Sequence, residues 1–215
     1  MAEISAAQVK QLRDMTGAGM MDAKKALVET GGDVERAKDW LREHGMARAA
    51  KKAGRSTGEG IIESYVHHAG GVGRVGVLVE VNCESDFVAK TDDFKHLAHE
   101  IALHIAGASP QYVRREEVPA ELLEREKNVY RAQVADKPEN IQDKIIGGKV
   151  DAFYGEIVLL DQPYIREPKK KVKQLIDEVI AKLGENITVA RFARFAVGET
   201  AAAQDGESPN GQAAG

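Results

Sequence analysis

Apolar residues near the N-terminus recur at helical spacing. Ser5 with Gln8 three residues on has the form of a capping box, and Ile4 with Val9 that of a hydrophobic staple. Val9, Leu12 and Met15 follow as one apolar stripe, which Gly17 and Gly19 bring to an end. A second helix is expected over 22–30, closed by Gly31 and Gly32. Asp33 can cap a third, with Val34, Ala37, Trp40 and Leu41 on its apolar face and Gly45 as its stop. Three short helices in about 45 residues make a small bundle with a thin core. A module of that size holds no deep pocket, which favours binding a partner over catalysis.

The pattern then changes. "MARAAKKAGRSTGEG", residues 46–60, is basic and rich in small residues, then in glycine, and reads as a helical spacer ending in a flexible joint near residue 56. "GIIESYVHH" and "GRVGVLVEVNC" are β-branched runs joined by "AGGV", which predicts a hairpin. A helix follows Thr91, with Phe94, Leu97, Ala98, Ile101 and Ile105 at helical spacing. Another starts at Pro119, carrying Leu122, Val129 and Tyr130, with Glu121 and Arg125 placed to pair. A further helix is expected from Pro138 towards Phe153, whereas "EIVLLD" is too short to type. "VKQLIDEVIAKLG" is a clean helix with Gly184 as its stop, and "NITVARFARFAV" a closing strand. Strands with helices segregated around them define an α+β fold. The expected plan is a three-helix domain with a basic linker over 1–55, an α+β core with a small antiparallel sheet over 56–197, and a tail over 198–215. The tail holds no aromatic and no large aliphatic residue, so disorder is expected there.

Composition narrows the function. The net charge of −4 and pI near 5.9 argue against wholesale coating of nucleic acid. The charge is uneven: residues 1–55 carry 11 Lys and Arg against 8 Asp and Glu, and the remainder 19 against 26. Cys83 is the single cysteine, which rules out an intrachain disulfide and a cysteine-based zinc cage. No apolar run approaches the roughly 20 residues that cross a bilayer, and "MAEISAAQVKQ" has no secretory pattern. A cytoplasmic protein is expected.

Three motifs invite chemistry and fail on context. "GVGRVG", residues 71–76, matches a dinucleotide fingerprint, but its glycines join strand to strand instead of strand to helix. In "HLAHEIALH", His99-Glu100 is followed by His104 five residues on, about 140° round a helix, so a metalloprotease face is not formed. His67 and His68 point to opposite faces of a strand, with no nucleophile or carboxylate placed beside them by sequence. On spacing alone they read as one core-edge and one exposed histidine. No catalytic residue, metal or cofactor is expected, and the chain reads as a binding protein, not an enzyme.

One short stretch remains unexplained. "VEVNCESDFVAK", residues 79–90, leaves a buried strand for an acidic turn that carries a large apolar ring, Phe87. This segment with Leu78, and "VKQLRDMTGAGMMDAKKAL" at residues 9–27, resemble the two signatures of the elongation factor Ts family, and the likeness extends to about residue 198. The resemblance implies a ubiquitin-associated-like three-helix domain on an α+β core. It also implies exchange of GDP for GTP on elongation factor Tu as the partner. In the family the turn held here by Ser85, Asp86, Phe87 and Val88 lies against the partner's nucleotide site and disturbs its magnesium ion. Ser85 stands where threonine is usual and keeps the hydroxyl. The resemblance further implies contacts through Leu12, Arg13, Met20 and Lys24 of the first domain, and through His67, with His68 as flank. "SDFV" occurs once, so the core is single, and a homodimer is implied.

Alternatives stay open at this point. Phe87 either anchors a partner or packs back on its own sheet, and one of Met20 and Met21 either meets the partner or fills the small bundle. Rival functions are an RNA-associated factor using Arg48, Lys51, Lys52 and Arg55, and an enzyme using His67 or the pair His96 and His99. The exchange-factor reading expects no direct contact with nucleic acid or membrane.

Overall fold

The computed structural model describes residues 4–199. The first helix, α1 (Ala6–Thr16), opens on the expected capping box. The Ser5 N–H donates to Gln8 Oε1 at 2.9 Å, and the Gln8 N–H donates to Ser5 Oγ at 3.3 Å. Gly17, at φ 68°, closes it in the left-handed region. Helix α2 (Met20–Glu29) starts two residues earlier than expected, which leaves Asp22 in its first turn. Helix α3 (Val34–Lys52) begins at the Asp33 cap but runs straight through Gly45. The expected stop is therefore corrected. A Cβ at Gly45 would stand 3.3 Å from the Ala181 Cβ, so the glycine serves the close approach of another helix.

The strands β1 (Glu59–Ala69) and β2 (Val72–Cys83) form the predicted hairpin. Gly70 and Gly71 take φ 61° and 83°, the positive pair that a two-residue hairpin turn requires. The glycines of "GVGRVG" thus serve a turn and a strand. A four-residue helix, α4 (Asp86–Ala89), occupies the acidic stretch, and α5 (Asp92–Ala108) follows. Helices α6 (Ala120–Gln133) and α7 (Glu139–Ile157) come next, each with a proline at its N-cap. In α6 the ion pairs fall on Glu124, with Lys127 at 2.7 Å and Arg131 at 3.7 Å, not on the expected pair of Glu121 and Arg125. "EIVLLD" resolves into the end of α7 and a 3-10 turn, Leu159–Asp161.

Two short strands, β3 (Pro163–Tyr164) and β4 (Glu167–Lys171), pair antiparallel and were not expected. Helix α8 (Val172–Leu183) and strand β5 (Ile187–Ala196) complete the fold. The main sheet has the order β1-β2-β5. Gly198 and Glu199 close a turn in which Glu199 accepts from the Ala196 N–H at 3.0 Å, while the rest of the expected disordered tail lies outside the described residues.

The chain forms two compact units, neither contiguous in sequence. The first holds everything up to Ile61, Val81–Leu97 and Gln174–Thr188; the second holds Ile62–Glu80, Ala98–Lys173 and the chain from Val189 on. In the first, Val9, Leu12, Ala23, Ala26, Leu27, Ala37 and Leu41 form the bundle core, edged by Ile4, Val34 and Trp40. Met15, expected on that stripe, is half exposed. In the second, Val77 and Val79 of β2 and Ala98, Ile101, Ala102 and Ile105 of α5 are buried.

Candidate functional site

The acidic stretch is built from its cap. Ser85 precedes α4 in extended conformation, and its Oγ accepts from the Val88 N–H at 3.3 Å. Helix α4 then presents opposite sides differently. Val88 and Ala89 are buried, whereas Phe87 is 77% exposed. The ring thus does not pack back on its sheet. Val88, expected at the partner surface, is an anchor in the core instead, because it lies on the inward side of a one-turn helix. Asp86 is exposed and pairs with Lys90 at 2.6 Å, and that ammonium holds its carboxyl below the usual range.

Carboxylates on either side hold the cap. Glu185 takes the Ser85 N–H at 3.0 Å on one oxygen and the Ser85 hydroxyl at 2.6 Å on the other. Glu84 reaches the opposite way, accepting from the Asn186 N–H at 2.6 Å and pairing with Arg55 at 3.4 Å. The backbone bond and then Arg55 keep the Glu84 carboxyl below its ordinary range. The Ser85 hydroxyl, expected to face the partner, is therefore spent within the chain. Sequence reasoning missed Glu84, Glu185 and Asn186. Its available signal was the missing box residue: three places after Ser85 stands Val88, which cannot return a bond.

In the bundle, Leu12 is fully buried on the stripe that it shares with Val9, as the helical spacing predicts, so its side chain is not open to the partner contact that the resemblance implies. Arg13 and Lys24 are exposed. Met20 and Met21 are both open to solvent, with Met15 and Val28 adding to the exposed apolar area. The basic segment is largely engaged. Arg48 meets Asp22 at 2.8 Å, Lys52 donates to the Gly184 carbonyl, and Arg55 holds Glu84.

In the second unit, Glu63, Tyr65 and His67 alternate along one face of β1. His99 Nδ1 lies 3.1 Å from Glu63, and the Tyr65 ring meets His99 edge-on at 5.7 Å. The Tyr65 hydroxyl is 3.4 Å from His67 Nδ1. His67 and His68 are both exposed, so neither is a core-edge residue. No group of three or more potential metal ligands occurs among the described residues.

These features match a known family over the described chain. A model of "UBA/TS-N domain" covers residues 4–41, and one of "Elongation factor TS" covers 40–199. The chain belongs to the elongation factor Ts family. Elongation factor Ts of Geobacter sulfurreducens is 59% identical over 198 residues, 91% of this chain and 90% of that one. The elongation factor Ts of Coprothermobacter proteolyticus is 59% identical, covering 92% of this chain and 100% of its own length. That of Thermotoga maritima is 57% identical over 92% and 98%. As a member of the elongation factor Ts family, the chain carries both its surface turn and its bundle inside the matched regions.

Proposed function

We propose that this protein is the guanine-nucleotide exchange factor of elongation factor Tu, binding the GDP form and releasing GDP in the cytoplasm without turnover of its own. The observation that carries this reading is Phe87: an exposed ring beside a carboxylate, on a turn braced from both flanks. Folding alone gives such a ring no use. Pressed between elements of the partner, Phe87 acts as an apolar wedge, and Asp86 draws polar groups away from the partner's magnesium. That ion bridges phosphate oxygens and offsets their charge, so loosening its ligation weakens GDP. By reciprocity, a factor that binds the nucleotide-free partner more tightly lowers the partner's nucleotide affinity equally. Arg13, Met20 and Lys24 are the docking residues of the bundle, and His67 is the contact from β1. Leu12 and Val88 support these surfaces from beneath.

A single core also favours a homodimer. Ile62, Val66, Leu78, Phe195 and Val197 leave apolar surface exposed in the second unit, which a second copy of this chain would cover. The engagement of Arg48, Lys52 and Arg55 within the chain counts against the RNA reading. The deciding experiment is GDP release from elongation factor Tu. Substoichiometric protein should accelerate it with no GTP hydrolysis, and unchanged release at every concentration would refute the assignment.

A further inference from the structure

The cap of α4 uses the same three serine-centred bonds as the cap of α1, with two acceptor oxygens in place of one. In α1 the Ser5 N–H and hydroxyl both reach Gln8 Oε1, at 2.9 and 3.0 Å, and the Gln8 N–H returns to Ser5 Oγ at 3.3 Å. In α4 the Ser85 N–H and hydroxyl reach the two oxygens of Glu185, at 3.0 and 2.6 Å, and the Val88 N–H returns to Ser85 Oγ at 3.3 Å. The difference is the origin of the acceptor. The α1 box is local, whereas Val88 occupies the position that should supply an acid or amide, and the connection between α8 and β5 supplies it instead. A four-residue helix has no stability of its own, since nucleation consumes its single turn. Its ring-bearing residue, Phe87, stands two positions after this cap.

We propose that Glu185 is the positioning residue of the exchange turn, completing its capping box from a distant loop and so fixing the direction in which Asp86 and Phe87 are presented. Glu84 secures the loop in return: it holds the Asn186 N–H, and the Asn186 side chain donates to the Arg55 carbonyl at 2.8 Å. The two glutamates thus grip one another's neighbours, and the α8–β5 connection belongs to the exchange element through the bonds it makes to the turn. This inference rests on the reading that the turn drives GDP release.

The test uses the full chain with elongation factor Tu·GDP and titrates the protein to saturation. Glu185→Ala should lower the maximal release rate severalfold and leave the half-saturating concentration near that of the parent, because docking residues lie elsewhere. Glu185→Gln, which retains the acceptor that Gln8 uses in α1, should restore the rate. Amide exchange supplies a readout without the partner: Val88, whose N–H bonds the Ser85 hydroxyl that Glu185 orients, should exchange roughly 2- to 30-fold faster in Glu185→Ala, at most the effect of weakening a helix cap. Glu185→Asp, one methylene short, gives the same direction should the alanine variant not fold. Normal maximal release in Glu185→Ala alongside impaired Phe87→Ala overturns the role of Glu185 alone. Normal release in Phe87→Ala overturns the reading of the turn, and this inference with it.

Discussion

At the scale of single residues, exposure separates a stability role from a binding role. Phe87 buries little, so Phe87→Ala should leave the melting temperature nearly unchanged, within the roughly 0.5 kcal/mol typical of surface sites. Stimulated GDP release should fall severalfold, and a melt with a release assay on the same sample decides it. Asp86→Ala should make release depend more on added magnesium chelator. Its pair with Lys90 is exposed and screened by solvent, so losing it should barely change the stability of the fold. His104 behaves differently because it is fully buried. Gln162 donates its amide to the Glu156 carbonyl at 2.7 Å, which leaves its oxygen to accept from His104 Nε2 at 2.9 Å. His104 Nδ1 accepts from the Ile165 N–H at 3.2 Å, so the ring is held neutral, and burial lowers its pKa. The unfolded chain then takes the proton first. Stability should be full above the unfolded value of about 6.5, fall as pH drops from there towards the lower folded value, and level off beneath it. Thermal melts from pH 8 to pH 5 should show this fall, and His104→Gln should flatten it.

Among the elements, legibility followed length and locality. The helices α1, α5 and α8 each span three turns or more with a regular apolar face, and the sequence periodicity suffices for them. The hairpin strand β4 reads "EPKKK" and offers no apolar alternation at all, while α4 is a single turn and has no period to detect. Gly45 misled for a different reason: a glycine that ends a helix and one that admits a neighbouring helix look alike in sequence. The same limit governs the candidate site. Phe87 was legible because an aromatic ring in an acidic turn is out of place. The burial of Val88 was not, because a helix of one turn has no period to mark its inward side, whereas Leu12 already stood on a buried stripe. For the bundle, truncating Met20 or reversing Lys24 should weaken association by calorimetry while maximal release at saturation is retained. Unchanged association in both variants would remove α2 from the interface.

For the whole molecule, the assembly prediction is the most direct. A dimer through the apolar surface of the second unit should persist after deletion of residues 1–55 and weaken in a Val66→Asp or Phe195→Asp chain. Light scattering at micromolar concentration reads both, and a monomeric parent would refute it. Val66, Phe195 and Val197 line one shallow apolar hollow, so a single charge there should be felt by its neighbours.

The distance between Ser85 and its acceptor has a consequence for biosynthesis. The bundle core closes within the first 41 residues, all from neighbouring segments, so it is complete early in translation. The exchange turn has to await Glu185, a further hundred residues along the chain. At the usual 5–20 residues per second that is a delay of roughly 5–20 s. On the function proposed above, a growing chain carries its docking helices well before it has a fixed wedge, so binding of elongation factor Tu would precede any ability to release its nucleotide.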